Sequence, residues 1–120
     1  PEILGSMEFA CKVAGAKLVV VMGHQHCGAI KASIDNVQIG NIGSLSNGIR
    51  PAVKMALDYT GVKSSENDPY VHYVSKMNVL HTVDHIRQNS VILREMEDAG
   101  EIQIVGAMYQ MATGNVEYFY

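Results

Sequence analysis

The chain has 120 residues, 48% of them hydrophobic, and a formal charge of −3; that is enough for one compact domain, and its nine scattered Lys and Arg give no basic field for nucleic acid. No apolar run approaches the roughly 20 residues that span a bilayer and no basic segment leads into an apolar one at the start, so neither membrane nor secretion is expected and the cytoplasm is the default. Two cysteines, Cys11 and Cys27, are too few for a disulfide framework and point to a metal or a free thiol.

In chain order, Ser6 to Ala14 reads as a helix, with Met7, Ala10, Cys11 and Ala14 at steps of three and four and Gly15 as its stop. Glu8 falls in its first turn, where negative charge is favourable. Leu18 to Met22 is a continuous aliphatic run, the pattern of a central parallel strand buried on both faces. Gly28 to Ile34 suits a helix. Asn36 to Gly48, rich in Gly, Asn and Ser, reads as a loop before a helix over Ile49 to Tyr59, with Pro51 in its first turn. Lys63 to Pro69 is an exposed connection.

Tyr70, Val74, Met77, Leu80, Val83 and Ile86 then recur at helical spacing, the apolar stripe of a long amphipathic helix that Gln88-Asn89-Ser90 interrupts. A shorter helix, Val91 to Ala99, ends at Gly100. Ile102 to Met108 returns to a strand pattern, and Thr113-Gly114-Asn115 turns it into a last strand, Val116 to Tyr120, forming a C-terminal hairpin. The expectation is an α/β fold in a single domain spanning 1–120. Its start at Pro1, where a natural chain has Met, suggests a processed or excerpted polypeptide.

The stretch with chemistry is Gly23-His24-Gln25-His26-Cys27-Gly28, directly after the first strand. A two-residue gap lets the His24 imidazole and the Cys27 thiolate turn toward one point, and zinc takes such ligands at about 2.0 Å for nitrogen and about 2.3 Å for sulfur. Gly23 and Gly28 are expected to permit the sharp backbone path, and the following helix to favour the thiolate. His26, between the two ligands, is expected to point away. A strand-end turn with a buried cysteine is the plainer alternative.

This hexapeptide resembles the GHxxCG motif of the β-class carbonic anhydrases. Gly5-Ser6-Met7-Glu8-Phe9-Ala10, Ile49-Arg50-Pro51-Ala52, and Gly106-Ala107-Met108-Tyr109 with Thr113-Gly114 resemble other stretches of that family in the same order. The resemblance implies a mainly parallel sheet flanked by helices, and a zinc ion held by one histidine and two cysteines, with His24 and Cys27 as two of the three. It also implies reversible hydration of carbon dioxide to bicarbonate, in a homodimer or a multiple of one. The family's first cysteine lies upstream in a Cys-x-Asp-x-Arg segment that also supplies an Asp/Arg pair, and no such segment occurs in these 120 residues. Truncation at the N-terminus is the expectation, with zinc binding and catalysis by this chain alone impaired, since catalytic zinc ordinarily has three protein ligands. A catalytically silent binding or assembly module, and a redox or metal-storage protein, are the alternatives.

Other polar residues read more plainly. Cys11 lies on the apolar side of its helix and is expected in the core. His81 and His85 stand four apart without the Glu that an HExxH zinc site requires, and read as a surface or interface pair. Gly40 and Gly43 lack the Lys and the preceding strand of a phosphate loop.

Overall fold

A computed structural model describes residues 1–119. It contains helix α1 (Glu2–Glu8), a π-helical turn (Phe9–Val13), strand β1 (Leu18–His24), helices α2 (Gly28–Ile34), α3 (Ile42–Met55), α4 (Asp68–Asn89) and α5 (Val91–Asp98), and strands β2 (Gln103–Gln110) and β3 (Asn115–Phe119). The three strands form one sheet in the order β1-β2-β3. β1 and β2 run parallel from Leu18↔Gln103 to His24↔Tyr109, and β2 and β3 form the expected antiparallel hairpin. Tyr120, the last residue of the predicted final strand, lies outside the described residues. No helix among them is long and apolar enough to cross a membrane.

The α/β fold is as read, but the place of β1 is not. Among the described residues β1 stands at the edge of the sheet, and β2, buried continuously from Ile104 to Met108, is the central strand. β1 is covered on one face only: Leu18, Val20 and Met22 are 52%, 36% and 49% exposed. An unbroken aliphatic run reports apolar character on both faces without saying whether both find a cover.

The cover on the other face is α4. Tyr70, Val71, Val74, Ser75, Val79, Val83 and Ile86 are its buried residues, each aliphatic side chain contributing about 1.5–3 kcal/mol of burial. Met77 and Leu80, expected in the stripe, are only partly buried, and Val79 takes the central place. α4 approaches the sheet closely because two glycines lie under Val79. A Cβ built on Gly106 meets Val79 Cγ1 at 2.7 Å, and one built on Gly23 meets Val79 Cγ2 at 3.0 Å. Gly23 therefore serves helix–sheet contact, not the turn that follows it. Gly28 likewise has an ordinary φ and nothing within 4 Å of a built Cβ, so no tight path depends on it.

Two apolar clusters flank this contact. Toward the start of β1, Cys11, Val83, Ile86, Leu93, Met96 and Ile104 pack with Leu4 and Met7, so Cys11 is a core residue as expected. Toward the end of β1, Ile30, Ile49, Ala52, Tyr70 and Val74 join α2, α3 and α4.

The element boundaries that depart most from expectation are those of the first helix and of α3. The first helix begins at Glu2 and is π-wound after Glu8, with Ala14 N–H donating to the Phe9 carbonyl at 3.0 Å. Glu8 thus ends α1 instead of starting it, and its carboxylate accepts from the Ser90 hydroxyl at 2.6 Å. Ser90 in turn accepts from Leu93 N–H at 3.2 Å as the N-cap of α5. α3 starts at Ile42, inside the predicted loop, and carries Pro51 in its interior. Its Gly and Ser disfavour helix in isolation, but buried Gly43, Ser46, Ile49 and Ala52 form a narrow face that packs against its neighbours, and that contact outweighs propensity.

Candidate metal-binding turn

β1 ends at His24 and α2 begins at Gly28, so the motif is a three-residue connection between two elements of fixed direction. The His24 Nδ1 lies 2.9 Å from the Gln25 carbonyl oxygen. A carbonyl only accepts, so Nδ1 carries the proton and Nε2 keeps its lone pair. This is how metal-bound histidines are ordinarily held, by a hydrogen bond from the nitrogen that does not bind. Cys27 is a free, half-buried thiol at the N-cap position of α2.

His24 and Cys27 line one cavity of about 260 Å³, bounded by Val21, Ala29, Ile30, Ile49 and Val79 and by Ser75, Asn78 and Thr82 of α4. The pair is zinc-like in kind, one imidazole nitrogen and one sulfur, but incomplete in number. Among the described residues no group of three His, Cys, Asp or Glu side chains could hold a metal ion.

His26 is directed elsewhere. It borders a separate cavity with Gln25, Asp68, Pro69, Val71 and His72, and its Nδ1 is 3.8 Å from Asp68 Oδ1. Both side chains are more than half exposed, so this ion pair is worth little. His26, at φ 56°, is the residue of the turn in left-handed backbone, a place expected for glycine. His26→Gly is therefore expected to raise stability by about 0.5–1 kcal/mol while leaving metal affinity unchanged. Thermal unfolding with a zinc titration checks both, and a loss of affinity would make His26 a ligand.

Of the remaining histidines, His81 and His85 have ring centroids 6.5 Å apart on α4, and His85 Nδ1 is 3.2 Å from Asn89 Nδ2. Ser75, a buried residue that lines the same cavity as the two candidate ligands, was not legible as a site residue. Its one signal was a short polar side chain on the apolar side of a helix.

The carbonic anhydrase family model matches residues 1–116. A carbonic anhydrase of Mycolicibacterium smegmatis is 30% identical over 115 residues, which cover 96% of this chain and 55% of the relative. Carbonic anhydrase 2 of Mycobacterium tuberculosis is 30% identical over 113 residues, 93% of this chain and 53% of the relative. The β-carbonic anhydrase CafA of Aspergillus fumigatus superposes with a TM-score of 0.82 at 24% identity, over 99% of this chain and 56% of that one. One of two β-carbonic anhydrases of Sordaria macrospora, both described as tetrameric, superposes at 0.81 with 15% identity, over 98% of this chain and 59% of that one. The chain thus spans about half the length of these relatives, and across that span it belongs to the β-carbonic anhydrase family.

Proposed function

We propose that this chain supplies the histidine and one cysteine of a zinc site that interconverts carbon dioxide and bicarbonate. The observation that carries the reading is the presence of His24 and Cys27 on one cavity, with Nε2 of His24 left free by the Gln25 carbonyl. His24 and Cys27 would hold the ion, which, when bound, would supply the Lewis acidity that makes a water acidic near neutral pH. The chain's own residues do the rest. The Gln25 carbonyl fixes the tautomer and direction of His24, the start of α2 fixes Cys27, and Val21, Ile30 and Ile49 give the neighbouring space apolar walls that disfavour bulk water.

The third protein ligand comes from outside residues 1–120, in a segment of the Cys-x-Asp-x-Arg kind. The working unit is a homodimer or larger homo-oligomer. Supporting this, Leu18, Val20, Met22, Tyr109, Met111 and Tyr118 leave the sheet with substantial exposed apolar surface. Metal analysis and a carbon dioxide hydration assay on this chain, beside a polypeptide extended upstream by such a segment, test the reading. Tight stoichiometric zinc and rapid hydration are expected in the extended polypeptide only. Equal zinc content in both would show that no outside ligand is needed, and zinc without hydration in the extended one would remove the enzymatic reading.

A further inference from the structure

Along β1, Val19, Val21 and Gly23 are half-buried while Leu18, Val20, Met22 and His24 are exposed, the period of two that sets Met22 and His24 on one face of the sheet. His24 stands in register with Tyr109 of β2, and Met111 follows Tyr109 by two residues. Together with Gly23, these four residues line a shallow cavity of about 350 Å³. Met22 and Met111 are 49% and 55% exposed and belong to neither apolar cluster, so core packing does not account for them as it does for Met108, which is fully buried.

The cavity therefore gathers two neutral thioethers, an imidazole whose Nε2 lone pair is left free by the Gln25 carbonyl, and an aromatic ring. No Lys, Arg, Asp or Glu borders it. Hard and divalent cations gain too little from uncharged sulfur to give up their water, and zinc takes thiolate, imidazole and carboxylate ligands instead of thioethers. Thioethers with an imidazole select a soft monovalent ion, and a tyrosine ring offers a cation a favourable wall.

We infer that this cavity is a copper(I) site, with the Met22 and Met111 sulfurs and His24 Nε2 as its three ligands. The inference does not depend on the carbonic anhydrase reading. It does have a consequence for the neighbouring cavity: His24 also borders the space lined by Cys27, so copper(I) on the thioethers and a metal on Cys27 compete for one nitrogen. Met22, Tyr109 and Met111 also belong to the exposed apolar face assigned above to self-association, so the ion is taken up by the free protomer and excluded where that face is covered.

Anaerobic copper(I) titration of the Cys11→Ala/Cys27→Ser chain against a chromophoric chelator tests this, because removing both thiols leaves the thioethers as the soft donors. One ion per chain is expected. Met22→Leu, Met111→Leu and His24→Ala should each weaken it about ten-fold or more, and leucine keeps the methionine volume, so the fold is retained. Of the seven methionines, only Met22 and Met111 should show displaced methyl carbon resonances when the ion is added, with Met96 and Met108 unmoved. Zinc(II) binding to the same chain should be indifferent to both leucine substitutions. No copper(I) binding once the cysteines are gone, or binding that neither leucine substitution weakens, would overturn the site; zinc binding that depends on Met22 and Met111 would overturn its assignment to copper(I).

Discussion

Replacing Gly106 with alanine is expected to destabilise the fold by about 2–3 kcal/mol. The added methyl would sit 2.7 Å from Val79 Cγ1 and 3.4 Å from Phe119 Cδ2. Valine has only χ1 to adjust, and its other methyl already stands 3.0 Å from where a Cβ on Gly23 would be, so rotation moves the clash from one strand to the other. Relief requires α4 to lift off the sheet, which loosens Val83 and Ile86 as well. Val79→Ala opens space at the same point, so the double substitution Gly106→Ala/Val79→Ala should be less damaging than the sum of the two by about 1 kcal/mol or more. Chemical denaturation of the four proteins in the cycle measures this. Strict additivity would mean that Val79 does not set the distance between helix and sheet.

Glu97→Gln is expected to cost about 2–4 kcal/mol at neutral pH. The Glu97 carboxylate accepts from Arg87 Nε at 2.7 Å, Arg87 Nη2 at 3.0 Å and Ile104 N–H at 3.1 Å, and Arg87 also donates to the Ile104 carbonyl at 3.2 Å. One carboxylate thereby ties α4, α5 and β2 together, and its side chain is 20% exposed. The Arg87 hydrogen bonds are the largest influence on it and hold its pKa below the usual glutamate range, with burial opposing and the Ile104 N–H assisting. A carboxyl whose pKa is lowered by folding contributes stability that is present above its unfolded pKa and lost as pH falls through the folded one. The unaltered chain should therefore lose stability as pH drops below the ordinary glutamate pKa of about 4.3 and on through the lower folded one, and Glu97→Gln should make that decline shallower. An unchanged acid limb would show that other carboxylates govern it.

The elements that sequence revealed best were those with both a period and a stop. α5 has Ser90 as its N-cap and Gly100 at φ 74° just past its end, and the hairpin closes through Gly114 N–H to the Gln110 carbonyl at 2.7 Å. α3 was cut short because Gly43, Ser44, Ser46 and Gly48 carry loop propensity, while the contact that makes them helical lies on other segments. For the same reason β1 looked central. Five aliphatic residues in a row fix a strand without fixing its neighbours, and the order β1-β2-β3 is a property of the pairing.

The site divides along a similar line. His24 and Cys27 were visible because ligand chemistry and spacing are local, and the structure does bring them to one cavity. The parts supplied by tertiary structure were not visible. Ser75 reaches that cavity from a helix 48 residues beyond Cys27 in the chain, and the role of Gly23 under Val79 emerges only when α4 is laid on the sheet. The Gln25 carbonyl that sets the His24 tautomer is a backbone group, invisible to any reading of side chains.

The shared metal-ligand role of His24 and Cys27 is tested most directly by titrating the purified chain with cobalt(II), whose spectrum reports thiolate ligation. The account predicts weak binding with a charge-transfer band from a single thiolate, reduced about ten-fold or more by His24→Ala and abolished by Cys27→Ser. Cys11→Ser, in the core, and His26→Gly, facing Asp68, should leave the band in place. A thiolate band that survives Cys27→Ser, or binding indifferent to His24, would contradict it.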